Sequence, residues 1–139
     1  MRYEDFLARH QFASYEEFRG HYQVKVPQSF NFAFDVVDWM ADRHPHQRAL
    51  VWCDEEGGER QFSFAELRDA SARCANFLKS HGVRKGMPVL LIMKRRYEFW
   101  FALLALHKIG AIAIPATHLL TAKDIAYRLK AADIQAVVC

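Results

Sequence analysis

An α/β fold is what this sequence predicts: a mostly parallel sheet with flanking helices, plus an antiparallel hairpin ahead of it. Three observations carry that expectation. Val89–Met93, Ala111–Ala116 and Ile134–Cys139 are short apolar runs without polar alternation, as strands buried on both faces require. Between them lie two segments of helical period, Tyr97–Ile109 and the stretch opened by Thr121 and Asp124. Upstream, two apolar-rich runs flank Glu55-Glu56-Gly57-Gly58, the pattern of a hairpin turn. Strands that alternate with helices point to parallel pairing through right-handed crossovers.

Taken in order, residues 1–28 read as an arm that lies against a larger body. Ser14-Tyr15-Glu16-Glu17 matches a capping box and opens a short helix carrying Phe18 and Tyr22. Val26-Pro27 favours extended chain, because the residue before proline avoids the helical region. Residues 29–139 form the body. Asn31 caps a helix running to about His44, with Val36, Met40 and Arg43 on one face and Pro45 beyond its end. The hairpin follows, Ala49–Asp54 and Arg60–Phe64, its glycines supplying positive φ. Ser63 and Glu66 make a second capping box for a helix bearing Leu67, Ala70, Cys74, Phe77 and Leu78, and Gly82 sits where a left-handed C-terminal cap belongs. The helix Tyr97–Ile109, apolar almost all round, needs cover on more than one side and ends at Gly110. The capped helix after Thr121 carries Ile125 and Leu129. An apolar strand at the very end, with no helix after it, reads as a chain cut from a longer protein, since an uncovered edge is an aggregation liability.

Composition narrows the function classes. The 139 residues suit one compact domain. A chain of this size can bury roughly 68–70% of its unfolded surface. At 52% hydrophobic and 25% charged, the composition is globular, not disordered. Nineteen Lys and Arg against sixteen Asp and Glu leave +3, too small an excess to suggest nucleic acid as partner. Glu4 and Asp5 stand where a signal peptide would be apolar, and no run approaches the ~20 apolar residues that cross a bilayer. Cys53, Cys74 and Cys139 are odd in number and far apart, as in a reducing cytoplasm with no disulfide or zinc framework. The expected location is therefore cytoplasmic, with no membrane partner.

Catalytic signatures are missing. No G-x-x-x-x-G-K-S/T loop occurs, no G-x-G-x-x-G follows a strand, and no G-x-S-x-G elbow is present. His44-Pro45-His46 cannot share a helical face, and no convergent set of three or four ligands is spaced for a metal. Lys94-Arg95-Arg96, the sharpest charge cluster, follows the strand Val89–Met93 at the carboxyl end, where α/β sheets hold ligands. Either an anion contact or a solvated strand end accounts for it, and the second is the preferred reading because the next helix lacks a clear cap. Tyr97, Phe99, Trp100 and Phe101 read as core packing before base stacking.

Two stretches together carry a family resemblance. Phe62-Ser63-Phe64-Ala65-Glu66-Leu67 has the form L-[ST]-Y-x-E-L, and His107-Lys108-Ile109-Gly110-Ala111-Ile112-Ala113-Ile114-Pro115 has the form K-x-G-A-x-x-x-P. Both resemble core motifs of the AMP-forming adenylating enzymes. Between them, Gly82 to Met93 is similar to that family's G-V-x-x-G-D-x-V strand entry, with Met87 in place of the usual aspartate. Pro115–Leu120 and Asp124–Leu129 look most like the medium-chain and acetyl-type acyl-CoA synthetases. The resemblance implies the first part of the large N-terminal domain of such an enzyme, which uses ATP, Mg2+ and CoA on a carboxylic acid. It implies no catalytic residue in this segment, no ligand bound by the segment alone, and one contact: Leu119, near the CoA channel, where related synthetases carry a polar residue. A non-catalytic α/β interaction module of the same fold is the alternative, and an independent nucleotide-binding domain the third. A segment of this kind is expected to self-associate.

Overall fold

The computed structural model describes residues 6–139. Residues 1–5, where the arm begins and where the signal-peptide reading rests, lie outside the described residues. Helix α1 spans Tyr15–His21; Ser14 accepts from the Glu17 amide at 3.2 Å. Only half of the expected capping box forms. The Glu17 carboxylate takes the Ala13 amide instead of Ser14's and pairs with Arg9 at 2.6 Å. The chain folds back beside it, with Leu7 opposite Val24 in an antiparallel bridge and Phe6 edge-on to Phe30.

Helix α2 opens on a π-helical stretch, Ala33–Asp38, and continues as α-helix through Trp39–Arg43. Asn31 caps it: its side-chain oxygen accepts from the Ala33 amide at 3.0 Å, while its amide nitrogen donates to the His107 carbonyl at 2.7 Å. The predicted inner face is corrected here. Ala33, Val37 and Ala41 are the buried residues, and Arg43 lies outside, its guanidinium 4.1 Å above the Trp39 ring. A π turn takes up an extra residue, so the phase of the buried stripe shifts from the one a pure α-period predicts.

Strands β1 (Arg48–Cys53) and β2 (Glu59–Ser63) form the hairpin, antiparallel and with a register shift between Arg48 and Leu50. Its two glycines serve different ends. Gly57 has φ +84°, as expected, whereas Gly58 is there for space: a Cβ would stand 2.5 Å from the Asp54 carboxylate, which accepts both the Glu56 and Gly58 amides.

Helix α3 spans Phe64–Ser80 and begins with the complete Ser63/Glu66 capping box. It buries Leu67, Ser71, Ala75 and Leu78. Phe77, expected inside, is 60% exposed, its ring against His81. The helix turns off through Gly82, φ +86°, with the Val83 amide bonded to the Leu78 carbonyl and the Gly82 amide to that of Lys79, a Schellman motif whose Val83 is itself buried.

Strand β3 (Pro88–Ile92), helix α4 (Glu98–Ile109), strand β4 (Ile112–Ala116), helix α5 (Ala122–Ala131) and strand β5 (Ala136–Val138) complete the chain. The three strands pair in parallel in the order β4-β3-β5, so β3 is central and Val89, Leu90 and Leu91 are fully buried. Burial on both faces belongs to β3 alone: Ile112 and Val137, on the flanking strands, are exposed. One core cluster joins Ala75 and Leu78 of α3, the β3 side chains, and Ala102, Ala105 and Leu106 of α4. A second sits between α2, Leu67 and Leu104. Lys108 pins the second cluster, its Nζ 2.8 and 2.9 Å from the two Asp38 oxygens.

Candidate functional site

Two loops leave the same edge of the parallel sheet. After β3, Lys94–Arg96 turn sharply, the Arg96 amide donating to the Lys94 carbonyl at 2.6 Å, the bond of a three-residue turn. The hairpin holds this turn in place. Trp52 Nε1 donates to the Arg95 carbonyl at 2.5 Å, and the Trp52 ring meets Tyr97 edge-on at 5.5 Å. Tyr97 in turn packs on Phe62 and Phe101, so the hairpin, the turn and α4 share one aromatic joint. After β4, Thr117–Leu120 lead to α5, whose capping box is complete: Thr121 accepts from Asp124, and Asp124 accepts from the Thr121 amide. The Thr121 hydroxyl, donating to the Asp124 carboxylate at 2.7 Å, and the Thr121 amide, donating at 3.0 Å, hold that carboxyl below the usual carboxylate range.

Between the two loops lies a cleft of about 520 Å³, lined by Lys94, Arg95, Arg96, Trp100, Thr117 and Leu119 among others. Leu119 is 76% exposed in it, its amide bonded to Thr117 Oγ1 at 3.2 Å. The sequence-predicted strand-end cluster and the sequence-predicted loop residue are thus brought together. Trp100, expected in the core, is 47% exposed and forms part of the wall; Tyr97, Phe99 and Phe101 are half-buried. Sequence reasoning passed over Trp52, whose indole fixes the turn. The available signal was a tryptophan on a short hairpin strand with polar neighbours, Cys53 and Asp54.

Two further clefts share this corner. One, about 640 Å³, faces Lys94–Arg96 with Asp54, Glu55 and Glu56 of the hairpin turn. The other, about 400 Å³, runs from Met93 to Glu98 and Cys139. No three His, Cys, Asp or Glu side chains converge on a possible metal position among the described residues. The three cysteines are unpaired, and burial pushes the Cys74 thiol up. Among the described residues, no helix is long and apolar enough to cross a membrane.

The residues of the two sequence motifs do structural work. Ser63 and Glu66 start α3. Lys108 braces α4 against Asp38 of α2 and also reaches the Arg68 carbonyl of α3 at 3.4 Å. Gly110, φ +75°, ends α4, and Pro115 sits within β4 opposite Leu91.

Comparison with known proteins identifies what the chain is similar to. The sequence profile of the family described as AMP-binding enzyme matches residues 37–139. The acyl-coenzyme A synthetase ACSM3, mitochondrial, of Homo sapiens is 35% identical over 133 residues, covering 91% of this chain and 23% of that protein. The acyl-coenzyme A synthetase ACSM4, mitochondrial, also of Homo sapiens, is 38% identical over 119 residues, 81% of this chain and 20% of that protein. The chain therefore spans less than a quarter of the length of these curated relatives. Among solved structures, the NpsA N-terminal subdomain of Klebsiella oxytoca superposes with a TM-score of 0.67 at 27% identity, over 75% of this chain and 26% of that one. The inhibitor-bound N-terminal domain of FACL13 from Mycobacterium tuberculosis gives 0.69 at 25% identity, over 77% and 26%.

Proposed function

Since this chain belongs to the AMP-binding enzyme family, we propose that it forms the opening part of the large N-terminal domain of an AMP-forming acyl-CoA synthetase acting on a short or medium carboxylic acid. The observation that supports this reading is 35% identity to an acyl-coenzyme A synthetase over 91% of the chain. In the reaction so assigned, a carboxylate oxygen attacks the α-phosphorus of ATP and pyrophosphate leaves. The sulfur of CoA then attacks the acyl carbon and AMP leaves, yielding the thioester. Binding energy spent at the edge of a sheet, away from the bonds that change, still serves such chemistry by positioning the second substrate.

Most of this segment's share in that work is architectural. Its sequence has no G-x-x-x-x-G-K-S/T phosphate loop, and among its described residues no three His, Cys, Asp or Glu side chains converge on one point. The segment alone is expected to bind ATP too weakly for calorimetry, and a micromolar dissociation constant would overturn that expectation. Residues 1–28 are kept as an arm and residues 29–139 as the body of the domain. A cytoplasmic, reducing location is the one proposed, to be tested by cell fractionation, although ACSM3 and ACSM4 are named as mitochondrial proteins.

Leu119 is proposed to pack against the CoA arm, because it projects from the carboxyl end of β4 with most of its surface free. The test is the complete gene product assayed with a panel of acids, pyrophosphate exchange reporting the first half-reaction and acyl-CoA release the second. Activity on short or medium carboxylic acids is expected. Absence of exchange with every acid would overturn the assignment. Leu119→Arg is expected to spare exchange and to slow thioester release; equal loss in both would withdraw Leu119 from the CoA contact.

A further inference from the structure

Three consecutive cations on a fixed turn are costly to hold unless something neutralises them, since like charges a few ångströms apart repel. At Lys94–Arg96 the structure supplies one partner among the described residues, the Arg96 contact with Glu98 at 3.6 Å. Arg96 remains largely exposed there, and Lys94 and Arg95 are exposed as well. The backbone beneath them is held by the Trp52 indole and by the bond between Arg96 and Lys94, so the side chains project from a defined platform. Such a platform lowers the ordering cost that binding would otherwise carry.

All three clefts at this corner share Lys94 and Arg96, and their linings tell them apart. The hairpin-side cleft opposes the cations with Asp54, Glu55 and Glu56, and the cleft toward Cys139 contains Glu98. The cleft between Lys94–Arg96 and Thr117–Leu119 has no carboxylate in its lining. It adds the Thr117 hydroxyl, His118, and the exposed part of Trp100. Cations and a hydroxyl suit phosphate oxygens, an indole suits a purine face, and Leu119 suits an apolar arm. Its volume, about 520 Å³, admits part of a nucleotide.

We propose that Lys94, Arg95 and Arg96, with Trp100 and Thr117, form a seat for the phosphate groups of a nucleotide substrate. The proposal rests on the synthetase reading only for the two candidate nucleotides, ATP and CoA, and its test is chosen to stand apart from that reading. Calorimetry on the complete gene product, with CoA, 3′-dephospho-CoA and ATP as probes, measures the seat directly. Lys94→Ala combined with Arg95→Ala is expected to raise the dissociation constant of the seated nucleotide about tenfold and to flatten its dependence on salt. Loss confined to CoA identifies the thiol substrate, and a loss absent with 3′-dephospho-CoA places its 3′-phosphate on the turn. Loss confined to ATP identifies the other source. Both results support the seat. Arg95→Lys should keep most of the affinity, and Lys130→Ala, on the last turn of α5, should change nothing. Unchanged affinity of the double variant for CoA and ATP would overturn the proposal, as would equal weakening by Lys130→Ala. A gene product that fails pyrophosphate exchange, yet shows charge-dependent nucleotide binding at this turn, would sink the synthetase reading and leave the seat standing.

Discussion

At the scale of single residues, Lys108 shows how a sequence motif can encode a brace. Its side chain is only 7% exposed and that of Asp38 only 21%, so neither charge has water enough to stand alone. Lys108→Ala leaves the Asp38 carboxylate half-desolvated and unpaired, at an expected cost of about 3–5 kcal/mol in urea unfolding. Lys108→Met together with Asp38→Leu should recover most of that loss, because the buried charge is gone with its partner. A single-variant cost below about 1 kcal/mol would mean that water reaches the pair. Nothing in the sequence announced this contact, for Asp38 and Lys108 are 70 positions apart. Ser63 and Glu66 were legible for the opposite reason: a capping box closes within three positions and needs no tertiary information. His107 belongs with Lys108. Burial lowers its pKa, its Nδ1 has no hydrogen-bond partner among the described residues, and its carbonyl accepts from both the Asn31 side chain and the Gly110 amide.

Elements were legible where their ends are written in local chemistry and misread where neighbours decide. Five helices and five strands stand close to their expected places, though β5 contracts from Ile134–Cys139 to Ala136–Val138. The inner face of α2 differs from the expected one because the π stretch Ala33–Asp38 shifts the phase of the helix, and a π turn has no periodic signature in the sequence. Phe77 was misread because apolar character alone does not place a side chain when Ala75 and Leu78 already fill the face toward β3. The glycine caps give a sharp comparison. Gly82 and Gly110 both have positive φ, but a Cβ at Gly82 meets nothing within 4 Å, whereas one at Gly110 lies 3.2 Å from Lys85 Cγ. Gly82→Ala is expected to cost about 1–2 kcal/mol from backbone strain. Gly110→Ala should cost at least as much, with the Lys85 stem displaced besides. Thermal unfolding of the two variants decides it, and a smaller loss at Gly110 would show that the Lys85 side chain yields freely.

For the whole molecule, the unfinished surfaces matter most. Among the described residues, β4 and β5 each have a free outer edge, and an apolar groove of about 410 Å³ opens between α2, the hairpin and α4, lined by Val36, Leu50, Leu103 and Trp100. Free edges and apolar grooves of this kind promote association. The 139-residue chain by itself is expected to self-associate at high micromolar concentration, and sedimentation velocity showing a single monomeric species there would contradict it. The corner that seats the candidate site was partly legible: the sequence located the charge cluster and Leu119, each after its own strand. Their meeting in one cleft was not legible, because strand order is a property of the sheet and no single strand contains it.

The central place of β3 also sets a schedule for synthesis. Its two partners arrive at different times, β4 soon after α4 and β5 only after α5 has followed. Until residues 136–138 emerge, the strand destined to be fully buried is bonded along one side and bare along the other. At a translation rate of about 5–20 residues per second, the stretch from β3 to β5 keeps that side open for roughly 2–9 seconds. For that interval Leu90, fully buried in the finished sheet, belongs to an edge not yet paired. A nascent chain paused within α5 therefore still exposes the side of β3 that the finished sheet pairs with β5.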